Sequence, residues 1–187
     1  MTTEIIRVMG VVGSARKHGN THALVDAVLA GAKSAGAETS KRVLSDLQIH
    51  PCSGCDYCRQ SGECIHDDDM EGMLDLMKAS QVWVFGTPVY WWGPTAQMKT
   101  FMDRWYQDND EFMKLSGRKV ILVIPFGDDD PETAHNTVGI FQESMKYLKK
   151  TIVEIILAPG VNDLHDIDKH PELLQKAFDA GKAAVVS

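Results

Sequence analysis

Five short segments with strand character recur along this chain, at residues 5–12, 38–44, 82–85, 120–126 and 152–157, and a stretch with helical spacing follows each of them. The first stretch carries Leu24, Val25, Val28, Leu29 and Ala32 on one face, and the second carries Met70, Met73, Leu74 and Met77. Met98, Phe101, Met102 and Trp105 form the third stripe, and Val138, Phe141, Met145 and Leu148 the fourth. The last, from about residue 171, carries Leu173, Leu174, Ala177 and Phe178. Periods of two and 3.6 distinguish strands from helices. Their regular alternation predicts an α/β fold: a five-stranded parallel sheet with helices on both faces, because each parallel pair needs a crossover. Asn20 or Thr21 is placed to cap the first helix and Gly36 to stop it.

The 187 residues suit one domain, 1–187, with a cysteine-rich loop at 50–66. For five parallel strands the expected arrangement is the three-layer flavodoxin-like one, in the order 2-1-3-4-5, which places ligands at the C-terminal ends of strands 1 and 3. A net charge of −7 argues against a nucleic-acid partner, which calls for a basic face. No apolar stretch approaches a membrane span, so no membrane partner is expected. The first residues lack the basic start and apolar core of a signal peptide, which predicts a cytoplasmic protein with reduced thiols.

After the first strand stands Gly13-Ser14-x-Arg16-x-x-Gly19-Asn20-Thr21. It is neither a G-x-G-x-x-G fingerprint nor a Walker loop. Ser14, Asn20 and Thr21 have short side chains able to bond phosphate oxygens, and Arg16 can add a charge-assisted contact. Gly19 lets backbone approach closely, and the helix start offers free N–H groups. Helix capping alone explains the same residues without a ligand. After the third strand, Pro88, Val89, Tyr90, Trp91, Trp92 and Gly93 form a loop whose aromatic surface suits a flat ring. Packing in a core or against a second subunit is the competing use of the two tryptophans. The turn after the fourth strand, Gly127-Asp128-Asp129-Asp130, is acidic where a flat apolar ring would call for small neutral residues, and its acids are expected to cap the next helix.

All four cysteines of the chain, Cys52, Cys55, Cys58 and Cys64, lie in one run with the spacing C-x2-C-x2-C-x5-C. Four thiolates from one loop are a known way to hold an iron–sulfur cluster. Zinc is the first alternative, with His50 or His66 as a replacement ligand, although structural zinc sites usually pair two separated knuckles. Free thiols are the second. Asp163, His165, Asp166 and Asp168 precede the last helix and read as a solvated loop.

The first motif, G-S-x-R-x-x-G-N-T, resembles that of the NAD(P)H-dependent FMN reductases of the flavodoxin-like superfamily. Thr87-Pro-Val-Tyr-Trp-Trp-Gly-Pro94, with Lys99 and Asp103-Arg104 behind it, is similar to their second motif. The cysteine run ending at Asp68-Asp69-Met70 resembles the compact motif of the iron–sulfur flavoproteins. The resemblance implies FMN held by Ser14, Arg16, Gly19, Asn20 and Thr21 at its phosphate, with Pro88, Val89, Tyr90 and Trp91 bordering the ring and Trp92 and Gly93 completing the turn. It implies a 4Fe-4S cluster on the four cysteines, NAD(P)H as co-substrate, a small-molecule or protein electron acceptor, and a homodimer or homotetramer. The expected function is an FMN-dependent oxidoreductase with flavin-borne chemistry and no catalytic side chain. Three alternatives stay open: a flavodoxin-like electron carrier without its own substrate, a flavin reductase whose cysteines bind zinc or nothing, and a zinc-stabilised binding module without flavin.

Overall fold

The computed structural model describes residues 5–186. Its strands are β1 (Arg7–Val12), β2 (Glu38–Val43), β3 (Val82–Gly86), β4 (Lys119–Pro125) and β5 (Thr151–Ala158). They pair in parallel, as the alternation predicts, and in the order β2-β1-β3-β4-β5 expected of the flavodoxin-like arrangement. The three inner strands are apolar at nearly every position because both faces of the sheet are covered. Met9, Val11, Trp83, Phe85, Leu122 and Ile124 face one core, and Val8, Val12, Val82, Val84, Ile121 and Val123 face the other.

The helices are α1 (Asn20–Ser34), α2 (Tyr57–Ser61), α3 (Met70–Ala79), α4 (Ala96–Asp103), α5 (Asn109–Lys114), α6 (His135–Tyr147) and α7 (Pro171–Val186). Residues of α3, α4, α5 and α6 fill the first core, and those of α1 and α7 the second. α2 and α5, at five and six residues, are too short to show a period in the sequence. The fourth helical stretch begins with a 3-10 turn at Pro131–Ala134 before α6. In α7 the buried stripe is Ala177, Gly181 and Ala184, while Leu173 and Leu174 are only half-buried. The reason is closeness: a Cβ on Gly181 would overlap the Val28 carbonyl, and one on Gly31 the Phe178 carbonyl, so α1 and α7 meet backbone to backbone.

Neither Asn20 nor Thr21 caps α1. Gly19 holds the N-cap position, no side chain bonds there, and the first turn carries no acid. Its N–H groups are thus left for another partner. At the far end Ala35 closes the helix, and Gly36 follows at φ +90°, the left-handed turn that glycine supplies.

Candidate functional site

A cleft opens at the C-terminal ends of β1, β3 and β4. It is lined by Ser14, Arg16, Gly19, Asn20, Thr21, Pro88, Val89, Tyr90, Pro125, Phe126, Gly127, Val161, Asn162 and Leu164, and its closed part holds about 70 Å³. The loop after β1 and the loop after β3 are locked together by short bonds. The Gly13 N–H donates to the Gly86 carbonyl at 2.7 Å. Thr95 Oγ1 donates to the Gly13 carbonyl at 2.7 Å and accepts the Met98 N–H at 3.2 Å, capping α4. Thr87 Oγ1 accepts the Thr95 N–H at 3.1 Å, closing residues 87–95 into one loop.

Ser14 and Thr21 are buried at the floor of the cleft, and Ser14 Oγ accepts the Arg16 N–H at 3.2 Å. Two expected phosphate residues are engaged elsewhere. Asn20 donates through Nδ2 to the Asp163 carbonyl at 2.8 Å and accepts the Ile167 N–H at 3.2 Å. Arg16 Nη1 donates to the Asn162 carbonyl at 2.6 Å. Both side chains latch residues 162–167 across the turn while still lining the cleft. The Asp166 carboxylate braces the same segment by accepting the Asn162 and Asp163 N–H groups. That segment contributes Val161, Asn162 and Leu164 to the cleft, which the sequence reading did not include. Their position beyond the last strand, at the same edge of the sheet, was the available signal.

Tyr90-Trp91-Trp92-Gly93 is a two-residue hairpin turn. The Tyr90 N–H donates to the Gly93 carbonyl at 2.8 Å and the Gly93 N–H returns to Tyr90 at 3.1 Å. Trp91 and Trp92 sit at φ 50° and 58°, where type I′ turns prefer Asn-Gly. Trp91 is 90% exposed and Trp92 55%, so neither is a core residue of this chain. With Val89, Phe126 and Gly127 they border a shallow apolar depression beside the cleft. The acids after β4 act as caps: Asp130 Oδ1 accepts the Glu132 N–H, and Asp128 accepts the Asp130 N–H and the Thr133 hydroxyl. Phe126 and Gly127 nonetheless line the cleft, so the third loop takes part in it. A polar cleft at an uncapped helix start, continuing into an apolar rim, fits a ligand with an anionic end and a flat apolar body such as FMN.

The cysteine loop projects from the same end of the sheet, after β2. Cys52 and Cys55 are exposed, and Cys58 and Cys64 are half-buried. Left-handed backbone at Gly54, Asp56 and Gly62 folds the loop around α2, which carries Cys58. Burial pushes the Cys58 thiol up, and the neighbouring Cys64, then Cys52 and Cys55, push it further. The Cys55 thiol is held below its ordinary range by the Tyr57 N–H and then by Ser53. Among the described residues no three His, Cys, Asp or Glu side chains converge as one metal ion would require. Four cysteines on one loop supply the donor set of a cluster, which takes one thiolate per iron. The Asp68 carboxylate stands at the base of this loop. Burial opposes its ionisation, but Arg104 and the His50 and Met70 N–H groups outweigh that and hold it at about 2.

A search of solved structures finds similar folds. A flavone reductase matches with a TM-score of 0.76 at 19% identity, over 96% of this chain and 62% of that one. An azoreductase from Bacillus anthracis matches with a TM-score of 0.71 at 18% identity, over 96% and 99%. Among curated proteins, an iron-sulfur flavoprotein of Archaeoglobus fulgidus is 39% identical over 99 residues, covering 53% of this chain and 45% of the relative. One from Methanocaldococcus jannaschii is also 39% identical over 99 residues, covering 53% and 51%. The chain thus spans about half the length of these curated relatives. The family model described as NADPH-dependent FMN reductase matches residues 6–138, a span that contains the cleft loops after β1, β3 and β4 and the whole cysteine run. The chain belongs to the NADPH-dependent FMN reductase family.

Proposed function

We propose that this protein is an FMN-dependent oxidoreductase, linked to NAD(P)H, whose four cysteines hold a 4Fe-4S cluster. The observation that carries the reading is the cleft itself: the uncapped start of α1, the buried Ser14 and Thr21 hydroxyls and the apolar rim of Val89, Trp91 and Phe126 meet at one edge of the sheet. In this reading the N–H groups of the Ser14–Thr21 turn hold the phosphate, with Gly19 giving the close approach. Arg16 and Asn20 act at one remove, by holding residues 162–167 against that turn. Pro88, Val89 and Tyr90 form the wall for the ring, and Trp91, Trp92 and Gly93 close its outer edge. Cys52, Cys55, Cys58 and Cys64 hold the cluster.

Bound FMN supplies two-electron and one-electron redox chemistry, and a cluster supplies one-electron transfer. The protein's own work is to bind, orient and leave one face of the ring open to a donor and an acceptor. No side chain of the cleft is assigned as an acid or base. A small-molecule or protein acceptor, a homodimer or homotetramer, and a cytoplasmic location complete the reading. No helix among the described residues is long and apolar enough to cross a membrane.

The test is an absorption spectrum of anaerobically purified protein with iron, sulfide and zinc assays, followed by NAD(P)H turnover with an added acceptor. Flavin bands, broad visible absorption and acid-labile sulfide support the reading. Flavin with zinc, or with no metal, removes the cluster. Bound flavin without NAD(P)H turnover leaves an electron carrier, and a colourless protein that takes up no FMN removes the reading altogether.

A further inference from the structure

The function above leaves Arg104, at the end of the second motif, without a role. It is the first residue after α4 and is 3% exposed. Its Nη1 donates to Asp68 Oδ2 at 2.7 Å and to the His50 carbonyl at 2.9 Å, and its Nη2 donates to Asp68 Oδ1 at 3.2 Å. Asp68 Oδ2 also accepts the His50 N–H at 2.9 Å. His50 and Asp68 are the two stems of the cysteine loop, one just before Cys52 and one just after Cys64. One guanidinium–carboxylate fork therefore closes the loop at its base. Two residues on, the Tyr106 hydroxyl donates to Asp56 Oδ1 at 3.1 Å and accepts from Arg59 Nη1 at 3.3 Å, reaching the loop between Cys55 and Cys64.

Two further observations bear on Arg104. Its Nε is buried with no hydrogen-bond partner among the described residues, although a stranded buried donor is costly. Burial pulls the guanidinium pKa down, Asp68 holds it up, and after Asp68 the groups that raise it are Cys64 and Cys52. At the other end of the same helix, Thr95 holds the Gly13 carbonyl in the cleft. α4 thus ties the two sites to one rigid element.

We propose that Arg104 is the positioning residue of the cysteine loop: it clamps both stems and places its guanidinium at the base of the loop, on the carbonyl two residues before Cys52, and so sets the one-electron potential of the group those thiolates hold. The proposal rests on the cluster reading for its second half. A thiolate-ligated cluster gains negative charge on reduction. The Arg104 cation offsets the buried Asp68 carboxylate; without it that carboxylate stands uncompensated at the base of the loop and disfavours the reduced form, since charge near a cluster is one of the determinants of its potential.

The test uses the full chain, reconstituted anaerobically with iron and sulfide, as wild type, Arg104→Lys and Arg104→Gln. Each is titrated by potentiometry with visible and electron paramagnetic resonance detection. Arg104→Gln is expected to make the cluster potential more negative by a factor of about ten in the reduction equilibrium, about 59 mV. Arg104→Lys keeps the charge and is expected to move it by less than half as much, while losing iron faster to a chelator because the fork is gone. A purely structural residue would lower cluster content in both variants and leave the potential of the remaining cluster unchanged, and that result overturns the charge role. A wild type that takes up neither iron nor sulfide overturns the cluster reading, and the charge half with it, without any variant. The clamp is then read from alkylation of Cys58 and Cys64 in metal-free protein. Rates about ten times faster in Arg104→Gln, through local opening of the loop, uphold it, and equal rates overturn it. If Arg104→Gln does not fold, the potential, chelator and alkylation measurements on Arg104→Lys decide: wild-type values in all three overturn the proposal.

Discussion

Replacing Trp91 by Asn is expected to make the protein more stable and a poorer flavin binder. Trp91 lies at φ 50° in a two-residue hairpin turn, a left-handed conformation that costs an L-residue roughly 1–2 kcal/mol and that Asn tolerates. Because the side chain is 90% exposed, little packing is lost in exchange. About a tenth of a ~250 Å² side chain, at ~25 cal/mol per Å², is worth only about 0.6 kcal/mol. The balance favours Asn by about 1 kcal/mol, or a rise in Tm of about 2–4 °C for a chain of this size. The assay is thermal unfolding of flavin-free protein, so that bound ligand adds nothing to stability. FMN titration of the same sample should show weaker binding by about two- to tenfold, the worth of one aromatic contact of about 0.5–1.5 kcal/mol. A fall in Tm would show that Trp91 is packed and unstrained. Unchanged FMN affinity would remove Trp91 from the ring site.

The acid limb of stability should depend on Asp68. A carboxylate held at about 2 in place of 3.8 contributes about 2 kcal/mol, present above the higher value and lost as pH falls toward the lower. The gap between wild type and Asp68→Asn in urea unfolding should therefore narrow between about pH 4 and pH 2, and a constant gap would contradict the pairing. Gly181→Ala should cost about 1–3 kcal/mol or more by forcing α7 off the Val28 carbonyl, whereas Gly139→Ala, on the open side of α6, should gain about 0.4–1 kcal/mol. Opposite signs in chemical denaturation check the packing of α1 on α7. Treatment of anaerobic protein with an iron chelator should remove broad visible absorption and leave the flavin bands, and loss of both together would place flavin and metal in one site.

The parallel sheet and the inner stripes of the longer helices were legible because strands and helices differ in period and each run was long enough to show it, and the strand order followed from the arrangement usual for five such strands. Short elements were not: α2 and α5 have a turn or so each, and no spacing can register in that length. The turn after β1 was legible as a stretch of cleft-lining residues, but not the long-range bonds that some of them make. Asn20 and Arg16 have the right chemistry for a phosphate, yet their partners are backbone groups more than 140 residues away, a pairing that no local pattern encodes. The same distance hid Val161, Asn162 and Leu164. Trp91 and Trp92 illustrate the opposite failure. The sequence placed them in a loop, but turn chemistry prefers Asn-Gly there, so their left-handed backbone was unexpected. Arg104 read as part of a motif, and only its bonds to His50 and Asp68 connect it to the cysteines.

The account stands most directly on recognition of an anionic end by the Ser14–Thr21 turn, and comparing FMN with riboflavin isolates that end. Two charge-assisted hydrogen bonds at ~1.5–3 kcal/mol each amount to about 3 kcal/mol or more, so calorimetric titration of flavin-free protein should show FMN binding at least about 100-fold tighter than riboflavin. Equal affinities for the two would contradict the account.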